Sequence, residues 1–173
     1  MRLIPNRLAP ALCILAIAAT SAFAQPPADA KATVLKHLKT SRDFTLKVAN
    51  QMPEATYDFK LTPPQMSFAE QMAHLAGSLD FFLSSFGEKP KNAKPASMKK
   101  ADVIAFMTKS FDDAIDRVSK LSPDTFSKTY KGEEGQMTGL EICMMMLDHT
   151  THHRASAEMY LRAKGITPAE YTF

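Results

Sequence analysis

The 173-residue chain has no tryptophan, only 2 cysteines and 6 glycines, and no marked excess of either charge. The few glycines exclude a collagen-like chain. With 45% hydrophobic and 23% charged residues, a disordered polar chain is excluded as well. The 21 basic residues nearly balance the 18 acidic ones, for a formal charge of +3, and they form no concentrated stripe. Nucleic acid is therefore not an expected partner. No internal repeat is visible, and the length suits one domain with no room for a second catalytic one.

Long apolar runs are scarce too. One, Ala11-Leu12-Cys13-Ile14-Leu15-Ala16-Ile17-Ala18-Ala19, follows Arg2 and Arg7 and precedes the small-x-small site Ala22-Phe23-Ala24. It is short of the ~20 residues that span a bilayer. Residues 1–24 thus read as a cleavable secretory signal peptide, cut after Ala24. The residue directly after the cut is Gln25 and not a cysteine, which argues against a lipoprotein. The mature chain, 25–173, is expected outside the cytoplasm, with a periplasm as the leading location and no membrane anchor. Losing Arg2 and Arg7 leaves 19 bases against 18 acids. Losing Cys13 leaves Cys143 without an intramolecular disulfide partner. Cys143 lies in the apolar run Ile142-Cys143-Met144-Met145-Met146-Leu147 and reads as a small core residue rather than a nucleophile.

What remains is helical. Residues 29–52 carry Leu35, Leu38, Leu46, Ala49 and Met52 at spacings compatible with one stripe, closed by Pro53. Ser67-Phe68-Ala69-Glu70 is a capping box opening a second helix. Its stripe is Phe68, Met72, Leu75, Leu79, Phe82 and Phe86, with Gly87 as the stop. A Lys/Pro-rich loop, 88–97, follows. The third helix is expected over 98–121 with Ser97 as N-cap and Val103/Ile104, Met107, Phe111, Ile115 and Val118 facing inward. Residues 123–137 read as a loop with a short extended piece at 127–131. A second capping box, Thr138-Gly139-Leu140-Glu141, opens the fourth helix, which runs to about 164 and ends at Gly165. Its first half is apolar nearly all round and reads as buried. Four such helices predict an all-α four-helix bundle, with the mature chain's methionines as core filler.

The chemistry concentrates on the fourth helix, in Asp148-His149-Thr150-Thr151-His152-His153-Arg154. His149 and His153 are four apart and share a face. Such a pair can chelate a metal, although a solvated or hydrogen-bonded pair is the commoner use of this spacing. His152 is turned by about 100° and points elsewhere. His74, on the flank of the second helix's apolar stripe, is the candidate third ligand. His37 on the first helix reads as a surface or locally hydrogen-bonded ring. The spacing of His149 and His153 matches HExxH, but Thr150 replaces the glutamate that acts as general base, which disfavours a zincin peptidase.

Three segments together resemble the DinB superfamily. They are Leu61-Thr62-Pro63-Pro64 with Ser67-Phe68-Ala69-Glu70-Gln71-Met72-Ala73-His74-Leu75, the motif from Asp148 to Arg154, and the tail from Tyr160 to Tyr171. The resemblance implies an up-down-down-up bundle, often a homodimer. It also implies a metal triad of His74, His149 and His153. His152 matches an intervening non-ligand, and Arg154 falls on the family's arginine. The family's following Gly-Gln is Ala155-Ser156 here. Members of the family transfer low-molecular-weight thiols, isomerise thiol adducts, or have no known activity. Thiol cofactors are scarce outside the cytoplasm, so the signal peptide weighs against a thiol transferase.

Three imidazoles leave a metal position open, with Zn the default and Ni or Fe alternatives. Asp148 and His152 are candidate helpers, though a solvated charge and a surface ring are the preferred reading of the two. Tyr160 is a candidate pocket wall or a buried aromatic with a satisfied hydroxyl. The expected function is that of a metal-dependent transferase or hydrolase acting on a small-molecule substrate. The alternatives are a bundle whose metal is only structural and a metal-free interaction module. Copper binding by Met144, Met145 and Met146 is disfavoured, because three successive helical residues point about 100° apart.

Overall fold

A computed structural model of the chain describes residues 30–132 and 135–172; the expected signal peptide lies outside the described residues. Four helices carry the fold: α1 (Ala30–Gln51), α2 (Phe68–Ser84), α3 (Lys100–Lys120) and α4 (Gly139–Ala163). Both capping boxes form. Ser67 Oγ accepts from the Glu70 N–H at 3.2 Å, and the Glu70 carboxylate accepts from the Ser67 N–H at 2.6 Å. Thr138 and Glu141 repeat the exchange at 3.2 and 2.6 Å. α4 stops at Gly165, whose φ of 73° suits glycine. There the N–H of Ile166 donates to Leu161 O and that of Gly165 to Arg162 O, both at 2.9 Å. These two bonds satisfy the carbonyls that a helix end leaves open.

Ser97 is not the N-cap of α3, contrary to expectation. The helix begins behind Lys99, which makes no side-chain capping bond. The Ser97 hydroxyl donates to the Asp102 carboxylate, and its oxygen accepts from the Lys99 N–H at 3.2 Å, ahead of the helix. Lys100 has a role of its own: its Nζ donates to Asn50 O at 2.7 Å and Met52 O at 2.8 Å, closing the C-terminus of α1. Lys31, in the first turn of α1, does the same for α3 through Ser119 O at 3.2 Å and Leu121 O at 3.0 Å. Each cation sits where the partner helix's dipole is negative, and together they clasp α1 and α3 antiparallel.

Contacts between the other helices set the remaining directions. α1 runs parallel to α4, because Ser41 meets Arg154 while Gln51 meets Thr167. α2 runs antiparallel to α4, because Gln71 meets His153 while Phe82 meets His149. The bundle is therefore up-down-down-up, with α1 and α2 each packed on both α3 and α4. Two consecutive parallel helices, α2 and α3, need a connection as long as the bundle, and residues 85–99 provide it. Phe44, Phe68, Leu75, Leu79, Met107, Phe111, Ile142 and Met146 fill the core.

Three expectations change in detail. On α1 the buried face includes Val34, Leu38, Ser41, Phe44, Thr45, Val48 and Ala49, so Leu38 and Ala49 face inward as expected while Leu35 and Leu46 lie at its edge, half-buried. The first half of α4 is not buried all round: Met144 is exposed, whereas Ile142, Cys143 and Met146 face inward. The loop before α4 holds a hairpin, β1 (Thr129–Gly132) paired antiparallel with β2 (Gly135–Thr138), where only one extended piece was expected. Strands of four residues are too short for alternation to stand out.

The hairpin delivers the chain to α4 at Gly139, where there is no space for a side chain. A Cβ there would collide with Thr125 O and lie 2.9 Å from its carbonyl carbon. Gly139→Ala is expected to lower stability by about 1–3 kcal/mol, as overpacking does. A urea midpoint equal to that of the wild type would show that the contact relaxes freely.

Candidate metal centre

The antiparallel pairing of α2 and α4 brings His74 opposite the His149–His153 face. Ring centroids are 5.2 Å apart for His74–His149, 4.5 Å for His74–His153 and 4.3 Å for His149–His153. One ring nitrogen from each lies within 4.8 Å of the others. His74 is exposed, and His149 and His153 are half-buried. The structure thus brings together the three histidines singled out in the sequence. His152 stands outside the group, exposed, with its ring edge-on to His153 at 5.0 Å. His37 lies half-buried in α1, also outside it. Asp148 is exposed. Thr150 is turned to the core, where its hydroxyl donates to Met146 O at 2.8 Å, so the position of a zincin's general base does not face the site.

Burial first, and then the neighbouring charges of His149, His74 and His152, push the His153 imidazole down to about 4. Burial also lowers His149, helped by His74 and His152 and opposed by Asp148. Both rings are therefore neutral near pH 7, the form that ligates metals. The same shifts predict acid sensitivity. The unfolded chain takes up these protons near pH 6.5, whereas both rings resist in the folded chain, His153 until the pH approaches about 4. Stability is therefore full above about pH 6.5 and falls as the pH drops towards about 4. Denaturant midpoints of metal-stripped protein at pH 7.5 and 4.5 are expected to show this fall. It should be shallower in His149→Ala/His153→Ala; an equal slope in both proteins would remove these rings as its cause.

Gln71 belongs to the site and was not anticipated. It sits on the apolar stripe of α2, between Phe68 and Leu75, and is buried. Its Nε2 lies 2.7 Å from His153 Nδ1 and donates to it. The proton of the neutral His153 ring is then on Nε2, which donates to His149 Nε2 at 3.1 Å. The remaining nitrogen, His149 Nδ1, is buried with no hydrogen-bond partner among the described residues. An amide interrupting an apolar stripe, one turn before a candidate ligand, is the signal that would have marked Gln71.

Two cavities flank the triad. The larger, about 760 Å³, is walled by the loop before α2, by α2 itself and by the 92–98 stretch of the long connection, and it includes His74 and His149. The smaller, about 290 Å³, includes His152, His153 and Tyr160. The Tyr160 ring is buried, and its hydroxyl donates to Met66 O at 2.6 Å, so it is both cavity wall and anchor. Cys143 is buried, which raises its thiol to about 12 and leaves it inert at neutral pH.

The sequence model of the DinB superfamily matches residues 37–157, well over half of the chain. This chain belongs to the DinB superfamily. Its architecture is similar to that of a DinB-like protein from Bacillus cereus, with a TM-score of 0.72 at 14% identity, over 82% of this chain and 97% of the other. A DinB-like protein from Bacillus subtilis is also similar, with a TM-score of 0.69 at 18% identity, over 80% and 96% of the two chains. None of the curated proteins matches the chain in sequence. At these identities the structural likeness concerns the fold.

The donor set of this DinB protein fits a divalent ion. Two nitrogens on one tetrahedral Zn, each at roughly 2.0–2.1 Å, are about 3.3 Å apart. The two Nε2 atoms here are 3.1 Å apart. Imidazole suits Zn, Ni and Fe alike, and a histidine triad leaves a tetrahedral ion one position for another ligand.

Proposed function

We propose that this protein is a metal-dependent enzyme of the cell envelope, a transferase or hydrolase for a small molecule, built on a three-histidine divalent metal site. The observation that carries this reading is that His74, His149 and His153 converge beside a cavity of about 760 Å³, a size suited to small-molecule binding. Zn is the expected ion, with Ni or Fe as substitutes. When bound, it supplies Lewis-acid polarisation of a substrate at its open position. His74, His149 and His153 hold it, and the neutral state of His149 and His153 keeps their lone pairs available. The Tyr160–Met66 bond holds the wall between the two cavities.

Gln71 orients His153. For Nε2 to ligate, the ring proton must move to Nδ1 and needs an acceptor there. A half-turn of the Gln71 amide exchanges its nitrogen for its oxygen at that position and supplies one. Gln71→Leu is expected to weaken Zn binding about 10–100-fold, the usual cost of losing such an orienting partner. Gln71→Glu keeps an acceptor and should stay near the wild type. Chelator competition measures both, and a Gln71→Leu protein with wild-type affinity would show that the amide has no such role.

The signal-like residues 1–24 support an exported location. Intact mass of the exported chain tests this, with Gln25 expected as its first residue. The metal reading is tested by titrating stripped mature protein calorimetrically with Zn, Ni and Fe. Uptake of one ion per chain is expected, and no uptake of any of the three would refute it.

A further inference from the structure

The larger cavity has an apolar side that metal binding alone does not require. Among the described residues, six large hydrophobic side chains are exposed: Met66, Phe81, Met98, Met144, Met159 and Tyr171. Three of them, Met66 (41%), Phe81 (49%) and Met98 (48%), border this one cavity. Exposed apolar residues scattered singly are ordinary, but a cluster around a cavity marks a binding surface. Phe82 extends it to the metal centre, with its ring edge-on to that of His149 at 5.5 Å.

The walls are anchored. On one side, the Tyr160 hydroxyl holds Met66 O at 2.6 Å. On the other, the Lys91 N–H donates to Asp80 Oδ2 at 2.6 Å, while Asp80 Oδ1 pairs with Arg117 at 2.8 Å. The long connection is thereby tied to α2 and α3 next to the residues that line the cavity. Lys60 and Lys94 border the cavity as well, against the single acid Glu70, which pairs with Lys60 at 3.6 Å. Together with a divalent ion at His74 and His149, this lining favours an anionic head group and an apolar remainder.

We infer that the substrate is an amphipathic small molecule, with an anionic metal-binding head at His74 and His149 and an apolar chain lying along Met66, Phe81 and Met98. The inference rests on the metal reading above and adds the substrate class to it. Two hydroxamates with the same head and different tails, acetohydroxamate and octanohydroxamate, separate the two ideas. Each is titrated calorimetrically into Zn-loaded wild type and Phe81→Asp; Phe81 is half exposed, so the substitution leaves the core intact.

Octanohydroxamate is expected to bind the wild type at least ~10-fold more tightly than acetohydroxamate, a gain that needs only about two methylenes withdrawn from water. In Phe81→Asp the ratio of the two affinities should fall to about threefold or less. Uptake of Zn and acetohydroxamate with no dependence on tail length would overturn the substrate class alone. A wild-type preference that Phe81→Asp leaves intact would overturn the assigned path of the chain. Failure to take up Zn would overturn the metal reading and this inference with it.

Discussion

Purified without added metal, the chain 25–173 is expected to carry close to one divalent ion per chain, and its His149→Ala variant close to none. The expectation follows from how the three ligands are supplied. His74 is exposed on α2, and an isolated surface imidazole binds divalent ions weakly. The pair on α4 is held within 3.1 Å, nitrogen to nitrogen, before any ion arrives. Removing His149 takes away half of that preorganised pair and leaves two ligands on different helices. The loss should exceed the 10–100-fold that an orienting partner such as Gln71 contributes. Elemental analysis of the two proteins side by side is the measurement. His152→Ala is the control: its ring lies outside the triad, so its metal content should match the wild type. Equal metal in wild type and His149→Ala would place the ion elsewhere.

The second large effect is expected at Arg154, one residue beyond the triad and facing the opposite way. Its guanidinium is buried between α4 and α1. Nη1 donates to Ser41 Oγ at 2.9 Å and lies 3.5 Å from Thr45 Oγ1, Nη2 lies 3.4 Å from Thr151 Oγ1, and the group stacks over the Phe44 ring at 4.6 Å. Burial lowers its pKa, and the charges of Tyr171 and Glu158 oppose that shift. Arg154→Ala would leave a cavity beside Phe44 and strip Ser41 of its donor. A loss of about 2–4 kcal/mol is expected, the range for deleting a large buried side chain. Arg154→Met refills most of the volume without a charge to desolvate and should lose less than half as much. Urea denaturation of metal-stripped proteins separates the two. Equal losses would mean that the charge, rather than the packing, holds α1 against α4. The metal content of Arg154→Met should match the wild type, since Arg154 faces away from the imidazoles.

This arginine also explains why α1 was the hardest helix to read. Ser41 and Thr45 occupy its inner face to receive the guanidinium, so polar residues stand where apolar ones are sought. The apolar stripe looked rotated towards Leu35 and Leu46 for that reason. α2 and α4 were easier, because each opens with a capping box whose two bonds join residues three apart. Ser97 misled because a serine before a helical run resembles a cap, whereas its oxygen accepts from Lys99, ahead of the helix, and its proton goes to Asp102. Gln71 went unnoticed because its partner is 82 residues away.

Local chemistry accounts for the four helices, the capped starts of α2 and α4, the αL stop at Gly165 and the His149–His153 pair, since each depends on residues within a turn or two of one another. The resemblance to the DinB superfamily added the order of the helices and grouped His74, already a candidate from its place on the second helix, with the pair. Packing settled the rest. The antiparallel course of α2 along α4 sets His74 opposite the pair and Gln71 against His153. The parallel course of α2 and α3 forces residues 85–99 to run the length of the bundle, where they wall the larger cavity. Neither outcome depends on neighbours in the chain: both follow from which helix faces which, and that is decided by burying four apolar faces in one core.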